Sequence, residues 1–256
     1  MKRVSCELGG KNAIVVMDDA NVELALKGAL WSAFGTAGQR CTAASRLIVH
    51  RDVKRKFRDE LVDRTRALRM GVGIDPEAQI GPVINRKQLE RIHRYVRIGE
   101  AEGAKTLIGG KVLIEGVFSE GCFYAPTVLD EMTLSMRVAQ EEIFGPVTGI
   151  IEVDSLEEAI AAANATQYGL SLSLYTQNVQ RAFRAMQELE AGIVYINLPT
   201  SGAEIQLPFG GTKNTGNGHR EAGWMAMDYC TEWKSVYVNF AESAELVRAQ
   251  IDTQTS

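Results

Sequence analysis

Short apolar runs alternate with longer amphipathic segments along most of this sequence. The runs at residues 12–17, 45–50, 147–153, 170–175 and 192–197 have the composition of strands, and helical periodicity separates most of them. The first run is apolar almost throughout, which is typical of a strand buried on both faces. Strands that alternate with helices predict a mostly parallel sheet covered on both faces. The expected fold is a three-layer α/β/α domain.

Capping residues support the predicted helices. Residues 18–21 (DDAN) offer capping side chains before one helical pattern, and Asn85 is expected to cap another. Asp52 is expected to open a long helix, and residues 155–158 are interpreted as the first turn of a further one. The segment 123–128 is predicted to be extended, with its proline at a sheet edge or in a loop.

The carboxy-terminal region follows a different pattern. Residues 198–223 are rich in Gly and Pro and are interpreted as a functional loop. Apolar residues alternate along residues 234–240, which predicts a half-exposed strand. Residues 241–256 are polar and are expected to form a loosely held tail.

Composition excludes several functional classes. The chain has 256 residues and a net charge of −4, with acids and bases mixed throughout, so nothing indicates nucleic acid as a partner. Its apolar runs are too short to span a bilayer. The four cysteines are far apart in sequence and the three histidines are isolated, so free thiols and no metal site are expected.

The residues around Cys41 suit a nucleophile. Cys41 lies in the segment GQRCTAAS at residues 38–45, between a helical pattern and an apolar run. At such a junction, backbone N–H groups are free to bind an oxyanion. A thiol has an ordinary pKa of about 8.5, and Arg40 together with free amides would favour the thiolate. On these residues alone, a small buried hydrophobic cysteine is the alternative.

Further short motifs occur in a fixed order along the chain. They are ELGGK at residues 7–11, EEIFGPV at 141–147, LPFGGTK at 207–213 and GNGHRE at 216–221. Together with GQRC at 38–41, they resemble the aldehyde dehydrogenase superfamily from about residue 7 to residue 240. In that family ELGG lies just past the middle of a chain about twice as long. The resemblance implies the carboxy-terminal, catalytic half of the fold, closest in character to semialdehyde-oxidising members.

The resemblance also implies a division of the chain. Residues 1–11 would end the cofactor-domain half and carry the general-base motif, and residues 12–223 would form the catalytic domain. Residues 224–240 would be an oligomerisation strand, and residues 241–256 a tail. The amino-terminal cofactor domain is expected to be absent. A homo-oligomer, or association with a missing amino-terminal half, is therefore expected, with a cytoplasmic location and no membrane partner.

The implied reaction is oxidation of a small-molecule aldehyde to its acid with NAD or NADP. By resemblance, the catalytic residues are Cys41, which attacks the aldehyde, and Glu7, which activates water to hydrolyse the thioester. Leu8, Glu142 and Phe144 match residues of the family around the nicotinamide ribose. Read without the resemblance, Glu7 and Glu142 would be solvated carboxylates and Phe144 a core residue.

The implied substrate-binding residues lie in three segments of the chain: Arg40, Phe209 and the loop Ser201, Gly202 and Ala203. This loop resembles one that grips a substrate carboxylate in semialdehyde-oxidising relatives, and exposed N–H groups beside Gly suit that role. A plain surface turn is the alternative, as a core position is for Phe209.

Two departures from the family pattern affect the expected activity. The cofactor domain and the asparagine that donates to the oxyanion would lie upstream of Glu7, so the NAD(P) site is expected to be incomplete. This chain alone is therefore predicted not to turn over aldehyde. The segment 216–220 is also one residue longer than the commoner form. Two alternative functions stay open, a cysteine-dependent esterase and a non-catalytic assembly module.

Overall fold

The computed structural model describes residues 2–238 and 240. Its strands are β1 (Asn12–Val16), β2 (Ala44–His50), β3 (Lys105–Ile108), β4 (Val112–Leu113), β5 (Phe123–Tyr124), β6 (Thr127–Asp130), β7 (Val147–Val153), β8 (Tyr168–Gly169), β9 (Ser171–Tyr175), β10 (Ile193–Ile196) and β11 (Thr212–Lys213). Its α-helices are α1 (Val22–Phe34), α2 (Arg51–Arg66), α3 (Arg86–Ala101), α4 (Arg137–Gln140), α5 (Leu156–Asn164), α6 (Val179–Glu188) and α7 (Met225–Cys230), and 3₁₀ turns span Gly35–Gly38 and Gly116–Glu120.

A seven-stranded sheet forms the centre of the fold, in the order β10-β9-β1-β2-β7-β6-β3. Every pairing in it is parallel except β3 with β6. Helices α1 and α2 contact each other and the central strands, and α5 contacts both α6 and the same strands. The predicted three-layer α/β fold with a mostly parallel sheet is therefore confirmed.

Local sequence explains these elements. β1 is buried along its whole length, as its apolar run predicts. Asn21, Asn85 and Ser155 accept hydrogen bonds from backbone N–H groups in the first turns of α1, α3 and α5. Each cap therefore satisfies a helix donor that has no partner within its own helix. The proline of segment 123–128 lies in the bend between β5 and β6, where no ladder hydrogen bond is required.

The predicted strand at residues 234–240 is not present in the described part of the chain. The short helix α7 lies within residues 224–240, and residues 231–238 and 240 adopt neither helix nor strand. An isolated strand leaves its backbone groups unpaired, and no other described strand lies beside this segment. The predicted tail at 241–256 lies outside the described residues.

The topology brings three chain segments to one end of the sheet. Residues 9–11 immediately precede β1, residues 38–43 precede β2, and residues 141–146 precede β7. Because β1, β2 and β7 are parallel and adjacent, their amino ends lie side by side. Among the described helices, none is long and apolar enough to cross a membrane.

Candidate active site

The loop that carries Cys41 is held through its carbonyl groups. Asn12 Nδ2 donates to the carbonyl oxygens of Cys41, at 2.7 Å, and of Ala43, at 2.9 Å. The intervening Thr42 carbonyl accepts a hydrogen bond from Thr200 Oγ1 at 2.8 Å. The three successive carbonyls of residues 41–43 are thus held by Asn12 and Thr200, while Cys41 itself is only half-buried.

The approach to this loop uses left-handed backbone. Thr36, Ala37 and Gly38 have φ values of 53°, 54° and 66°, a region that costs energy for residues with a Cβ. At Gly38 a Cβ would also collide with the carbonyl of Gly145, just before β7. The glycine of the GQRC motif therefore allows the nucleophile loop to pack against the 141–146 segment.

Burial and a neighbouring carboxylate control the Cys41 thiol. Its pKa is raised, first because burial penalises the thiolate and next because of the negative charge of Glu7, while the amides of Thr42 and Cys41 act in the opposite direction. The guanidinium of Arg40 stacks over Trp31, with its central carbon 4.9 Å from the ring centroid. The expectation that this site lowers the thiol pKa is therefore wrong, because burial and the negative charge of Glu7 outweigh the two amides.

Glu7 lies close enough to Cys41 for their charges to interact. Its own pKa is raised by burial and by the negative charge of Glu221, and Arg220 partly opposes this. Among the residues that the structure describes, Glu7 Oε1 is enclosed without a hydrogen-bond partner. A carboxylate in this state is easier to protonate than usual, which suits proton exchange with a nearby thiol or water.

The 215–217 segment holds the backbone on both sides of Glu7. Leu8 N donates to the Thr215 carbonyl at 3.0 Å, and Thr215 Oγ1 donates to the Gly9 carbonyl at 2.8 Å. Asn217 Oδ1 accepts from Cys6 N at 3.1 Å. The lengthened glycine-rich motif therefore positions the general-base candidate.

The segment that precedes β7 supplies the candidate cofactor residues. Glu142 Oε1 accepts a hydrogen bond from Gly10 N at 3.1 Å, and Arg91 donates to the Glu142 carbonyl at 2.7 Å. Phe144 has a φ of 58°, and Gln88 Nε2 donates to its carbonyl at 2.7 Å. Helix α3 thus fixes the backbone of Glu142 and of the exposed Phe144, while Gly10 holds the Glu142 carboxylate.

These residues fit one end of a dinucleotide. Gly9 runs so close to the Glu142 carboxylate that a Cβ there would collide with it, so this carboxylate has a formed backbone cradle. Leu8 is 52% exposed and Phe144 is 36% exposed, which leaves apolar surface for a planar ring. The nucleophile loop and the 142–145 segment pack closely, and the cleft between them has a volume of only about 10 Å³.

The predicted substrate loop lies against the nucleophile loop. Ser201 is 2% exposed, and its Oγ lies 3.1 Å from Thr42 Oγ1. Gly202 and Ala203 are exposed, and within the described chain their backbone N–H groups have no acceptor. The serine side chain is therefore engaged inside the protein, whereas the two following amides remain available to a ligand.

Phe209 is linked to the candidate base through Glu221. It is half-buried and forms an isolated antiparallel bridge with Glu221, in which the two nitrogen-to-oxygen distances are 2.6 and 2.7 Å. Because Glu221 affects the pKa of Glu7, the Phe209 segment adjoins the base rather than standing apart.

Sequence reasoning missed two buried side chains near the site. Asn12 was interpreted as the first residue of a strand, and its contacts with the nucleophile loop follow no local pattern. Lys11 is 1% exposed, and its Nζ has no hydrogen-bond partner in the described residues. Burial and the positive charge of Arg46 lower the pKa of Lys11 to about 7. The available signal was the charged residue and the amide that stand directly before the apolar residues 13–17.

Comparisons with known proteins agree with this arrangement. The sequence profile of the aldehyde dehydrogenase family matches residues 1–236. An α-ketoglutaric semialdehyde dehydrogenase from Bacillus subtilis is 41% identical over 232 residues, which are 91% of this chain and 48% of that protein. A betaine aldehyde dehydrogenase from Cereibacter sphaeroides is 40% identical over 238 residues, covering 93% of this chain and 48% of the relative.

Solved structures give the same result. Betaine aldehyde dehydrogenase from Staphylococcus aureus in complex with NAD+ superposes with a TM-score of 0.86 and 37% identity, covering 88% of this chain and 44% of that one. HpcC from Thermus thermophilus gives a TM-score of 0.87 and 39% identity, over 94% of this chain and 48% of its own. The chain spans about half the length of the curated relatives that it matches.

Proposed function

Because this chain belongs to the aldehyde dehydrogenase family, we propose that it provides the catalytic half of an enzyme that oxidises a small aldehyde to its acid with NAD(P)+. The main support for this proposal is that the negative charge of Glu7 acts on the Cys41 thiol. A nucleophile and a base from distant parts of the chain are therefore close together. Neither residue alone would distinguish an active site from a surface carboxylate and a buried thiol.

Cys41 is the nucleophile in this mechanism. Its thiolate forms a bond to the aldehyde carbon, and the carbonyl electron pair moves to oxygen to give a thiohemiacetal anion. The backbone N–H of Cys41 is one donor to that oxygen. Because the thiol pKa is raised, the reaction begins from the small fraction of Cys41 that is already a thiolate.

Glu142, Phe144 and Leu8 would hold the nicotinamide end of NAD(P). When bound, the nicotinamide supplies the hydride acceptor that makes the reaction an oxidation. The carboxylate of Glu142 can accept hydrogen bonds from ribose hydroxyls, and its backbone cradle limits its movement. Leu8 and Phe144 would shield one side of the ring from water.

Glu7 completes the reaction at the Cys41 thioester. It removes a proton from water, the resulting hydroxide attacks the thioester carbon, and the C–S bond breaks to release acid and thiolate. The raised pKa of Glu7 brings it closer to neutral pH, where a general base works best.

A carboxylate-bearing semialdehyde is the substrate class that the site favours. The available amides of Gly202 and Ala203 suit a carboxylate, and Ser201 holds this loop beside the nucleophile loop. The Bacillus relative is named for such a substrate, whereas the Cereibacter relative is named for the cationic betaine aldehyde. The charge of the aldehyde therefore distinguishes the two substrate classes.

The test is reduced-cofactor formation from anionic, neutral and cationic aldehydes of similar size. The chain is assayed alone and with an added amino-terminal half from the Bacillus relative. We expect turnover in the mixture, preference for the anionic aldehyde and no turnover by the chain alone or by Cys41→Ser in the mixture. Full activity of the Cys41→Ser mixture would contradict the proposed function.

Cysteine-dependent esterase activity is the second candidate. Cys41, Glu7 and the Cys41 amide suffice for acyl transfer from an activated ester to water, because this reaction needs no hydride acceptor. Ester hydrolysis by the chain alone, lost in Cys41→Ser, supports this activity. If neither the wild-type chain nor Cys41→Ser hydrolyses the ester, and the chain associates stably with another chain, the assembly-module alternative is favoured.

A further inference from the structure

The carbonyl group of Cys41 points toward β1, and this direction has a consequence for the neighbouring amide. Asn12 Nδ2 binds that carbonyl at 2.7 Å. Because the peptide group is planar and trans, its C=O and N–H point in opposite directions. The N–H of the same peptide belongs to Thr42, so it points away from Asn12.

We propose that Asn12 is a positioning residue for the nucleophile: its side-chain amide keeps the Thr42 N–H turned toward the Cys41 sulfur. This inference rests on the proposed function of Cys41. Asn12 acts only through the loop backbone and touches neither substrate nor cofactor.

The hydrogen bonds of Asn12 make it a rigid support. Both of its Nδ2 protons are used, by the carbonyls of Cys41 and Ala43, and its Oδ1 accepts from Ser171 N at 3.0 Å. Asn12 is 1% exposed. A buried amide whose donors and acceptor are all satisfied fixes its neighbours firmly, because any movement leaves a polar group unpaired. The loop is thereby tied to both β1 and β9.

The electrostatics of Cys41 agree with this geometry. The Thr42 amide is the largest influence that lowers the thiol pKa, and it opposes burial and the charges of Glu7 and Glu142. Those two carboxylates are the charged groups that influence the thiol, since Arg40 is stacked on Trp31. If Asn12 released the loop, the Thr42 amide would lower the thiol pKa less, while Glu7 and Glu142 would still raise it.

The test measures Cys41 directly through the pH dependence of its alkylation, followed by mass spectrometry. Asn12→Leu keeps nearly the same side-chain shape but removes the hydrogen-bond donors, and Asn12→Ser retains one hydrogen-bond donor. The control is Asn164→Leu, since Asn164 bridges backbone groups of Glu188 and Glu190 in the same manner at the end of α5. Circular dichroism verifies that each variant is folded.

We expect Asn12→Leu to move the alkylation midpoint of Cys41 upward by about one pH unit, so that labelling at pH 8 slows roughly tenfold. Asn12→Ser should lie between this variant and the wild type, and Asn164→Leu should match the wild type. An unchanged midpoint in folded Asn12→Leu would overturn the inference. If Asn12→Leu does not fold, an unchanged midpoint in Asn12→Ser would overturn it. Ester turnover that survives Cys41→Ser would instead contradict the proposed function.

Discussion

The backbone N–H of Gly10 donates a hydrogen bond to Glu142 Oε1 at 3.1 Å. Gly10 also contacts the nucleophile loop, because a Cβ added to it would lie 2.5 Å from the Cys41 carbonyl oxygen. One backbone position therefore joins the candidate cofactor carboxylate to the candidate nucleophile. The absence of a side chain at this position allows both contacts.

Gly10→Ala should accordingly destabilise the protein and impair the site. Its Cβ must displace either the Cys41 carbonyl or the Asn12 side chain, and such overpacking typically costs about 1–3 kcal/mol. Gly73→Ala is the control, because a Cβ at Gly73 meets nothing within 4 Å. Urea unfolding measures both variants. Equal free energies of unfolding for the two would contradict the close approach.

Much of the fold could be predicted from the sequence, because strands buried on both faces and capped helices leave local patterns. β1, β7 and α5 are of this kind. Long-range contacts leave no such pattern, so neither the clamp formed by Asn12 nor the stacking of Arg40 on Trp31 was predicted. The expected strand at 234–240 is not formed within the described single chain, since a strand needs a pairing partner that local alternation does not supply.

The candidate site was predicted through family motifs, and the structure adds the physical reason for their order. ELGGK, GQRC and EEIFGPV precede β1, β2 and β7, so their proximity follows from three adjacent parallel strands. Electrostatic effects could not be predicted in the same way. The raised pKa of Cys41 depends on burial and on Glu7, which no local sequence encodes.

Alkylation of Cys41 should depend on Glu7. The negative charge of Glu7 raises the thiol pKa, so Glu7→Gln should lower the alkylation midpoint and speed labelling at neutral pH a few-fold. Glu115→Gln, which changes an exposed carboxylate, should leave the profile unchanged. Labelling by iodoacetamide across pH, with Cys230 as an exposed internal reference, measures this. A midpoint that stays the same or rises in Glu7→Gln would contradict the proximity of the two residues.

Lys11 should make stability depend on pH in the alkaline range. Its pKa is lowered to about 7 in the folded protein, whereas an unfolded lysine has a pKa of about 10.4. Between these values the unfolded chain binds more protons, so stability rises with pH across that window. Lys11→Met should therefore be more stable than the wild type near pH 7, by an amount on the order of a few kcal/mol, and the difference should shrink toward pH 10.

Denaturant unfolding of wild type and Lys11→Met at pH 7, 8.5 and 10 tests this dependence. Lys27→Met is the control, since Lys27 is exposed on α1 and forms an ion pair with Glu23. A pH-independent difference between Lys11→Met and the wild type would show that the buried amine is not the cause.

The segment after α7 should promote association. Trp233 is 86% exposed and Tyr237 is 94% exposed, and β10 ends the described sheet on one side. Exposed apolar side chains and open sheet edges favour pairing with another chain. Light scattering should detect oligomers at micromolar concentration, and Trp233→Ser with Tyr237→Ser should reduce their mass. A monomeric wild type would contradict this prediction.

The pairing of Cys41 as nucleophile with Glu7 as base is tested most directly by pre-steady-state hydrolysis of p-nitrophenyl acetate by the chain itself. Acylation of Cys41 releases nitrophenol in a burst, and water attack on the thioester sets the later rate. We expect Cys41→Ser to abolish the burst. We expect Glu7→Gln to retain a full-amplitude burst while steady-state turnover falls roughly 10²–10⁴-fold. A Glu7→Gln variant that turns over at the wild-type rate, or a burst that survives in Cys41→Ser, would contradict this pairing of nucleophile and base.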